Sequence, residues 1–272
     1  MTDHVDLGPM LAHTIIPAAS GPGAPAVPAV LIHGFLAGGM AYWGPNLPAL
    51  REVCRPVVVD LWGHAGGSSP TDPEVYSPVG FADAVDRLRH HLGVESWVVI
   101  SHSLGSALAM HYALRHPDRV LGLVVTNSQS GFATTNRESL GRDAIKQAAR
   151  VERVGMAAFD QNPLNPNHAK RLAPATKQAL IDTYQRHDPA GIARVLRHTV
   201  PDSPATDRLG ELAVPTLLTW GVYEKIFAAG AEVAIDRIPD LRVQELAAGH
   251  AVNLGDQSGF DRAVTGFLRD VV

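Results

Sequence analysis

The sequence has a single cysteine, no long hydrophobic run and no block of like charge. Cys54 alone excludes an internal disulfide framework and favours a reducing, cytoplasmic location. No apolar stretch approaches the ~18 residues that a membrane helix needs. The first residues also lack the basic-then-apolar pattern of a secretory signal. A net charge of −4 without a basic patch predicts no binding to nucleic acid or to an anionic membrane.

The composition is that of an ordinary globular protein. Hydrophobic residues make up 46% of the 272 positions and charged residues 18%. A chain of this length can bury one large core, or one core and a small inserted domain. No spacing of Cys and His residues indicates a metal site, and no glycine-rich loop is typical of a phosphate site. We therefore expect no metal and no cofactor.

Short apolar runs alternate with helical patterns along most of the chain. Because these runs lack polar alternation, they predict strands buried on both faces of a mostly parallel, doubly wound sheet in an α/β fold. Between the second and third runs, Phe81, Val85, Leu88 and Leu92 recur at helical spacing. The predicted strands are Ala29–Ile32, Val57–Val59, Val98–Ile100, Leu121–Val125, Thr216–Thr219 and Leu241–Val243.

The alternation is interrupted between residues 131 and 207. Apolar residues there follow a helical pattern, with prolines such as Pro174 and Pro189 between the segments. We expect a helical cap at 131–207, inserted into a core formed by 1–130 and 208–272. A final helix is predicted over Phe260–Asp270.

The segment Ser101–Gly105 lies between a predicted strand and a predicted helix. A serine at the apex of such a sharp turn adopts a strained backbone conformation and presents its hydroxyl above the sheet. The usual pattern is G-x-S-x-G, and here Ser101 replaces the first glycine. Ser103 is the candidate nucleophile, although an ordinary loop serine would fit the five residues taken alone.

Further short motifs follow other predicted strands. They are His33-Gly34-Phe35, the DLWGHAGGS segment at 60–68, Gly221–Glu224 and Gly249-His250. In this order, and together with Ser101–Gly105, they make the chain resemble the α/β-hydrolase superfamily over nearly its full length. The resemblance concerns the fold more than the reaction, because this scaffold hosts many chemistries.

The resemblance implies a role for each motif. His250 stands where the family has its catalytic base, and Glu224 where it often has an aspartate. No carboxylate is found at the other familiar acid position, residues 126–128. The backbone N–H groups of Phe35 and Leu104 are the expected oxyanion hole. His33, His64 and His102 are expected to be structural.

Several reactions remain compatible with a serine in this position. The segment 249–254 resembles that of 3-oxoadipate enol-lactonases and small carboxylesterases, so an ester or lactone of a small, largely apolar substrate is expected. A carbon–carbon bond hydrolase of the meta-cleavage type, a cofactor-independent oxygenase and a hydrolase-like receptor are the alternatives. The sequence does not rank Arg137, Arg142 and Arg150 as ligands of a substrate carboxylate. The apolar residues expected to line the substrate pocket are Leu36, Met40, Trp43, Phe132, Met156, Phe159 and Val252.

Overall fold

The computed structural model describes residues 9–19, 27–134 and 137–272, with only the backbone described at Arg137. The described residues form a seven-stranded sheet in the order β1-β3-β2-β4-β5-β6-β7. β1 pairs with β3 in the antiparallel direction, and all other pairs are parallel. The strands are β1 (Ala12–Ile15), β2 (Pro28–Ile32), β3 (Arg55–Asp60), β4 (Trp97–Ser101), β5 (Val120–Val125), β6 (Thr216–Gly221) and β7 (Leu241–Leu246).

Helices cover both faces of this sheet, which confirms the doubly wound α/β fold. On one face β2 contributes Val30 and Ile32 to an apolar cluster with α3, α4 and α8. On the other face it contributes Ala29 and Leu31 to a cluster with α1, α2 and α10. The helices are α1 (Gly39–Trp43), α2 (Leu47–Leu50), α3 (Pro78–His91), α4 (Leu104–Arg115), α5 (Arg137–Val154), α6 (Pro174–Tyr184), α7 (Pro189–His198), α8 (Ala228–Arg237), α9 (Val252–Gly255) and α10 (Gln257–Val271).

The edges of the sheet differ from the sequence expectation. β1 was not predicted, because its mixed sequence AHTI lies half-exposed at one edge and resembles a loop. The run Leu241–Val243 does lie in a strand, β7, but the prediction that it is buried is wrong. β7 forms the opposite edge, and four of its six residues are exposed.

The segment between β5 and β6 is helical. Its described residues include α5, α6 and α7 and no strand, as predicted, and Pro174 and Pro189 are the first residues of α6 and α7. α5 and α7 pack together around a small apolar cluster of their own. The cap boundaries at 131 and 207 stay a prediction. No helix within the described ranges is long and apolar enough to cross a membrane.

Candidate active site

The carboxyl ends of the parallel strands bring the sequence motifs to one edge of the sheet. β2 leads into His33-Gly34-Phe35, β4 into Ser103, β6 into Glu224 and β7 into His250. In open α/β sheets ligands bind at this edge, because the loops that follow the strands converge there. Residues more than 100 positions apart in the sequence therefore become neighbours.

Ser103 occupies the apex of the turn between β4 and α4. Its backbone angles are φ 53° and ψ −118°, which place a non-glycine residue outside the ordinary regions. Such a conformation costs about 1–3 kcal/mol and persists only where the surroundings enforce it. Gly105 is one reason why it persists. A Cβ at this position would lie 2.5 Å from the carbonyl oxygen of His33, so only glycine lets α4 approach β2.

Ser101 takes the place of the first glycine of the pattern without opening the turn. Its side chain is fully buried, and its hydroxyl donates a hydrogen bond to the carbonyl oxygen of Val124 at 2.7 Å. The hydroxyl therefore ties the end of β4 to the neighbouring strand β5. A buried hydroxyl without such a partner would be destabilising, and this bond explains why the serine is tolerated.

Ser103, His250 and Glu224 form a continuous chain of hydrogen bonds. The hydroxyl oxygen of Ser103 lies 3.0 Å from Nε2 of His250. Nδ1 of His250 lies 2.9 Å from Oε1 of Glu224. Because a carboxylate can only accept, Nδ1 carries the proton and Nε2 accepts from the serine hydroxyl. An imidazole held in this tautomer can take the proton of Ser103 and stabilise the charge through the carboxylate.

Glu224 is held by two amide side chains that follow β5. Asn127 donates from Nδ2 to Oε2 of Glu224, and Gln129 donates from Nε2 to Oε1 at 3.0 Å. Oδ1 of Asn127 also accepts the backbone N–H of Gly221 at 3.1 Å, which orients the amide. The carboxylate is thus fixed on both oxygens.

These contacts decide the ionisation of Glu224. Burial by itself raises the pKa of the carboxyl, but the hydrogen bond and charge of His250 and the bonds from Asn127 and Gln129 outweigh it, so that the pKa lies below its ordinary value. Sequence reasoning noted only that residues 126–128 lack a carboxylate and missed Asn127. The available signal was an amide directly after β5, the strand beside β6.

The loop after β2 lies next to Ser103. Leu36 has a φ of 58°, a second strained non-glycine backbone beside the site. Phe35 precedes it and lines the cavity that also contacts His102 and His250. Leu104 is the first residue of α4, so its N–H has no acceptor within the helix. The backbone N–H of Phe35 thus belongs to the loop after β2, and that of Leu104 to the first turn of α4, directly after the serine.

The neighbouring histidines use their nitrogens to hold loops. Nδ1 of His33 donates to the carbonyl oxygen of Gly34 at 2.7 Å, and its Nε2 accepts the N–H of Leu61 at 3.1 Å. His102 stacks on the ring of Tyr42 and contacts Thr126 Oγ1 through Nδ1 at 2.7 Å. Burial, followed by the proximity of His250, lowers the pKa of His102 well below its usual range, so its imidazole is neutral at pH 7.

A cavity of about 160 Å³ lies against His250 and His102. Its walls are mostly apolar and come from two parts of the chain. Phe35, Leu36 and Tyr42 belong to the loop and helix after β2, whereas a second wall comes from the helical insertion. That second wall includes Pro163, Leu164, Leu172 and Leu180. The cavity can hold the apolar part of a small molecule against the imidazole.

Of the residues predicted for the pocket, Leu36 lines this cavity and the other six lie outside its lining. Met40 is 43% exposed on α1. Trp43 and Val252 are buried in the core beneath the site. Phe132 packs against Phe227 in the other core cluster. Met156 and Phe159 belong to the apolar cluster of the insertion. There the ring of Phe159 packs edge-to-face against the ring of Phe35, with 5.7 Å between the ring centroids.

Of the three candidate arginines, the two with described side chains, Arg142 and Arg150, do not line the cavity. Arg142 forms an exposed pair with Glu138 along α5, and Arg150 is exposed on the same helix. The side chain of Arg137 lies outside the described atoms. Within the described ranges no cluster of three or more His, Cys, Asp or Glu residues could hold a metal ion.

Comparison with known proteins agrees with the fold. A family model described as alpha/beta hydrolase fold matches residues 28–257. A protein provisionally named carbamate hydrolase RutD, from Serratia proteamaculans, is 27% identical over 252 residues, covering 90% of this chain and 92% of its own. A protein of Bacillus subtilis provisionally named 2-succinyl-6-hydroxy-2,4-cyclohexadiene-1-carboxylate synthase is also 27% identical, with coverages of 89% and 90%.

Solved structures show the same architecture. MenH from S. aureus superposes with a TM-score of 0.84 at 21% identity, covering 95% of this chain and 98% of that chain. The enol-lactonase from Burkholderia xenovorans LB400 superposes with a TM-score of 0.81 at 22% identity, with coverages of 95% and 96%. At these identities the superpositions show the fold alone. With the family model matching most of its length, the chain belongs to the α/β-hydrolase family.

Proposed function

We propose that the protein is a serine hydrolase that cleaves an ester or lactone of a small, largely apolar substrate. The observation that carries the proposal is the hydrogen-bonded series Ser103–His250–Glu224, with separations of 3.0 and 2.9 Å. A neutral imidazole that accepts from the serine hydroxyl is the arrangement that activates this otherwise weak nucleophile.

The reaction proceeds through an acyl-enzyme. Ser103 Oγ attacks the substrate carbonyl while Nε2 of His250 takes the hydroxyl proton. The N–H groups of Phe35 and Leu104 donate to the oxyanion that forms. His250 then protonates the leaving oxygen. Water attacks the acyl-enzyme with the same imidazole as base, and the acid product and free Ser103 are regenerated.

Glu224 supports the positive charge that His250 carries in both steps. Its lowered pKa keeps it ionised at neutral pH. The apolar cavity beside His250 receives the apolar part of the substrate and excludes water from it. Cys54 takes no part, because it is buried and burial raises the pKa of its thiol to about 12. A lone, free cysteine fits a reducing compartment, and we place the protein in the cytoplasm.

Turnover of a panel of p-nitrophenyl esters and of γ- and δ-lactones tests the proposal. We expect repeated turnover by the wild type and a loss of about 10³-fold or more in Ser103→Ala, because the members of such a triad act as a unit. Ser258→Ala, which removes an exposed hydroxyl on α10, is the matched control and should match the wild type.

Two results would contradict the proposal. One is that Ser103→Ala hydrolyses the same substrates at the wild-type rate. The other is that no ester or lactone is turned over while small ligands raise the melting temperature, which would instead support a receptor. Turnover of dienone acids but of no ester or lactone would point to carbon–carbon cleavage.

A further inference from the structure

The cavity beside His250 adjoins a groove on the surface. The two spaces share Ala169, Leu172 and Ala251 in their linings. Gly249 and Ala251, the neighbours of His250 in the sequence, both line the groove, so that the groove passes close to the proposed catalytic base. A molecule longer than the cavity can therefore extend into this groove without leaving the protein.

The groove carries positive charge. Lys170 and Arg171 line it on the side of the helical insertion, just before α6, and both are exposed. Among the described residues that line it there is no aspartate or glutamate. In the described parts of the chain neither cation has an ion-pair partner, so both charges are available to a ligand.

The third basic residue of the groove, His168, is already engaged. Its Nε2 lies 2.6 Å from the carbonyl oxygen of Asp160 and donates to it, which helps to fix the loop that carries the cations. Among the described basic residues that line the groove, Lys170 and Arg171 are therefore the two with free donors. In a protein of net charge −4, two adjacent cations without a partner beside an apolar cavity favour an anionic ligand group.

We propose that Lys170 and Arg171 bind a carboxylate of the substrate, at the end remote from the carbonyl that Ser103 attacks. The substrate class is then an ester or lactone with an apolar middle and a free carboxylate. This inference rests on the proposed function and deepens it. An arginine fork and a lysine ammonium can both donate to one carboxylate in a charge-assisted bond.

Two matched substrates test the charge preference. Mono-p-nitrophenyl adipate carries a terminal carboxylate, and p-nitrophenyl hexanoate has the same acyl length without it. We divide kcat/KM for the adipate ester by kcat/KM for the hexanoate ester, after correction for spontaneous hydrolysis. This ratio should be about fivefold to tenfold lower in the double variant Lys170→Met/Arg171→Met than in the wild type. The fall should lie in KM rather than kcat, and it should disappear in about 0.5 M NaCl.

The double variant Lys146→Met/Arg153→Met is the matched control. It removes the same charge from exposed positions on α5 that line neither the cavity nor the groove. Its ratio should equal that of the wild type. An unchanged ratio in Lys170→Met/Arg171→Met, or an equal fall in the control, would overturn the inference while leaving the hydrolase proposal intact.

A binding measurement separates the two proposals. In Ser103→Ala, calorimetry with monophenyl adipate and phenyl hexanoate should show tighter binding of the adipate, lost when Lys170→Met/Arg171→Met is added. If the wild type hydrolyses no ester but this difference is found, the carboxylate site stands and the proposed reaction does not. If the two ligands bind equally, or neither binds, the carboxylate site is contradicted.

Discussion

The two ends of the Ser103–His250–Glu224 series are held in different ways. Ser103 is placed by its own neighbours in the sequence: β4 before it, α4 after it, and a glycine two positions away. Glu224 is placed by Asn127 and Gln129, which lie 97 and 95 positions earlier in the chain. The position of the proposed nucleophile thus depends on local backbone geometry, and that of the carboxylate depends on tertiary contacts.

This difference has an energetic consequence. The turn at Ser103 is strained, but neighbouring backbone encloses it. Changes to nearby side chains should therefore alter its geometry little. The ionisation of Glu224 depends on a balance, because burial raises its pKa while His250, Asn127 and Gln129 lower it. Removing one donor should therefore alter the chemistry of the carboxylate without altering the turn.

Among the changes to Glu224 and its hydrogen-bond donors, Glu224→Gln should have the largest effect on turnover. It keeps the shape and removes the charge that supports the imidazolium, so we expect turnover to fall about 10²- to 10⁴-fold. Glu224→Asp should retain more activity than the Gln variant and less than the wild type, because its shorter arm must reach the same Nδ1. Turnover of one accepted ester at neutral pH measures all three proteins. Wild-type turnover in the Gln variant would exclude Glu224 as the acid.

Asn127→Ala should have an intermediate effect and a distinct pH signature. Losing a hydrogen bond to a buried carboxylate should lower kcat/KM about tenfold. It should also raise the pKa of Glu224, because burial is then opposed by fewer donors. The kcat/KM for one accepted ester measures the first effect, and the pH dependence of stability measures the second.

The same change should appear in stability. A carboxyl whose folded pKa is depressed stabilises the fold above its unfolded pKa, and this contribution is lost as the pH falls through the folded pKa. Asn127→Ala should lose it at a higher pH than the wild type in urea unfolding. Gln129→Ala is the control with a smaller expected shift, because its bond to Glu224 is exposed. If Asn127→Ala lost this stability at the same pH as the wild type, Asn127 would not tune the pKa of Glu224.

Ser101→Gly should have the smallest effect on activity. It restores the usual glycine and removes the bond to Val124, so we expect turnover within about twofold of the wild type. The free energy of unfolding should fall by about 1–2 kcal/mol, from the lost hydrogen bond and the added backbone freedom. Urea unfolding and ester turnover measure the two quantities. A large loss of turnover in the folded variant would show that the turn at Ser103 depends on the Ser101 side chain.

The sequence predicted the central sheet well because its signal is strong there. Continuous β-branched runs such as Val57–Val59 are buried on both faces and leave little ambiguity. β1 was missed, since an edge strand of mixed polarity pairs on one side only. β7 was placed as a strand but wrongly expected to be buried, because a local apolar pattern does not reveal which strand lies at the edge.

The candidate site shows a similar difference between residues with a strong local signal and residues without one. Ser103, His250 and Glu224 could be selected because each follows a strand within a recognisable short motif. Asn127 was not selected, because the search looked for carboxylates and the partner of this amide is distant in the sequence. The cavity wall from Pro163 to Leu172 has little helical periodicity, so its apolar residues were not chosen. Trp43 and Val252 were chosen because they are apolar and follow β2 and His250 in the sequence, but both are buried in the core.

Labelling by a fluorophosphonate probe tests the central claim most directly, because the probe reacts with an activated serine and needs no knowledge of the substrate. The intact wild-type protein should gain one adduct, and peptide mapping should place it on Ser103. Labelling should be absent in Ser103→Ala and slower in Glu224→Gln. Equal labelling of wild type and Ser103→Ala, or an adduct on another residue, would contradict the account.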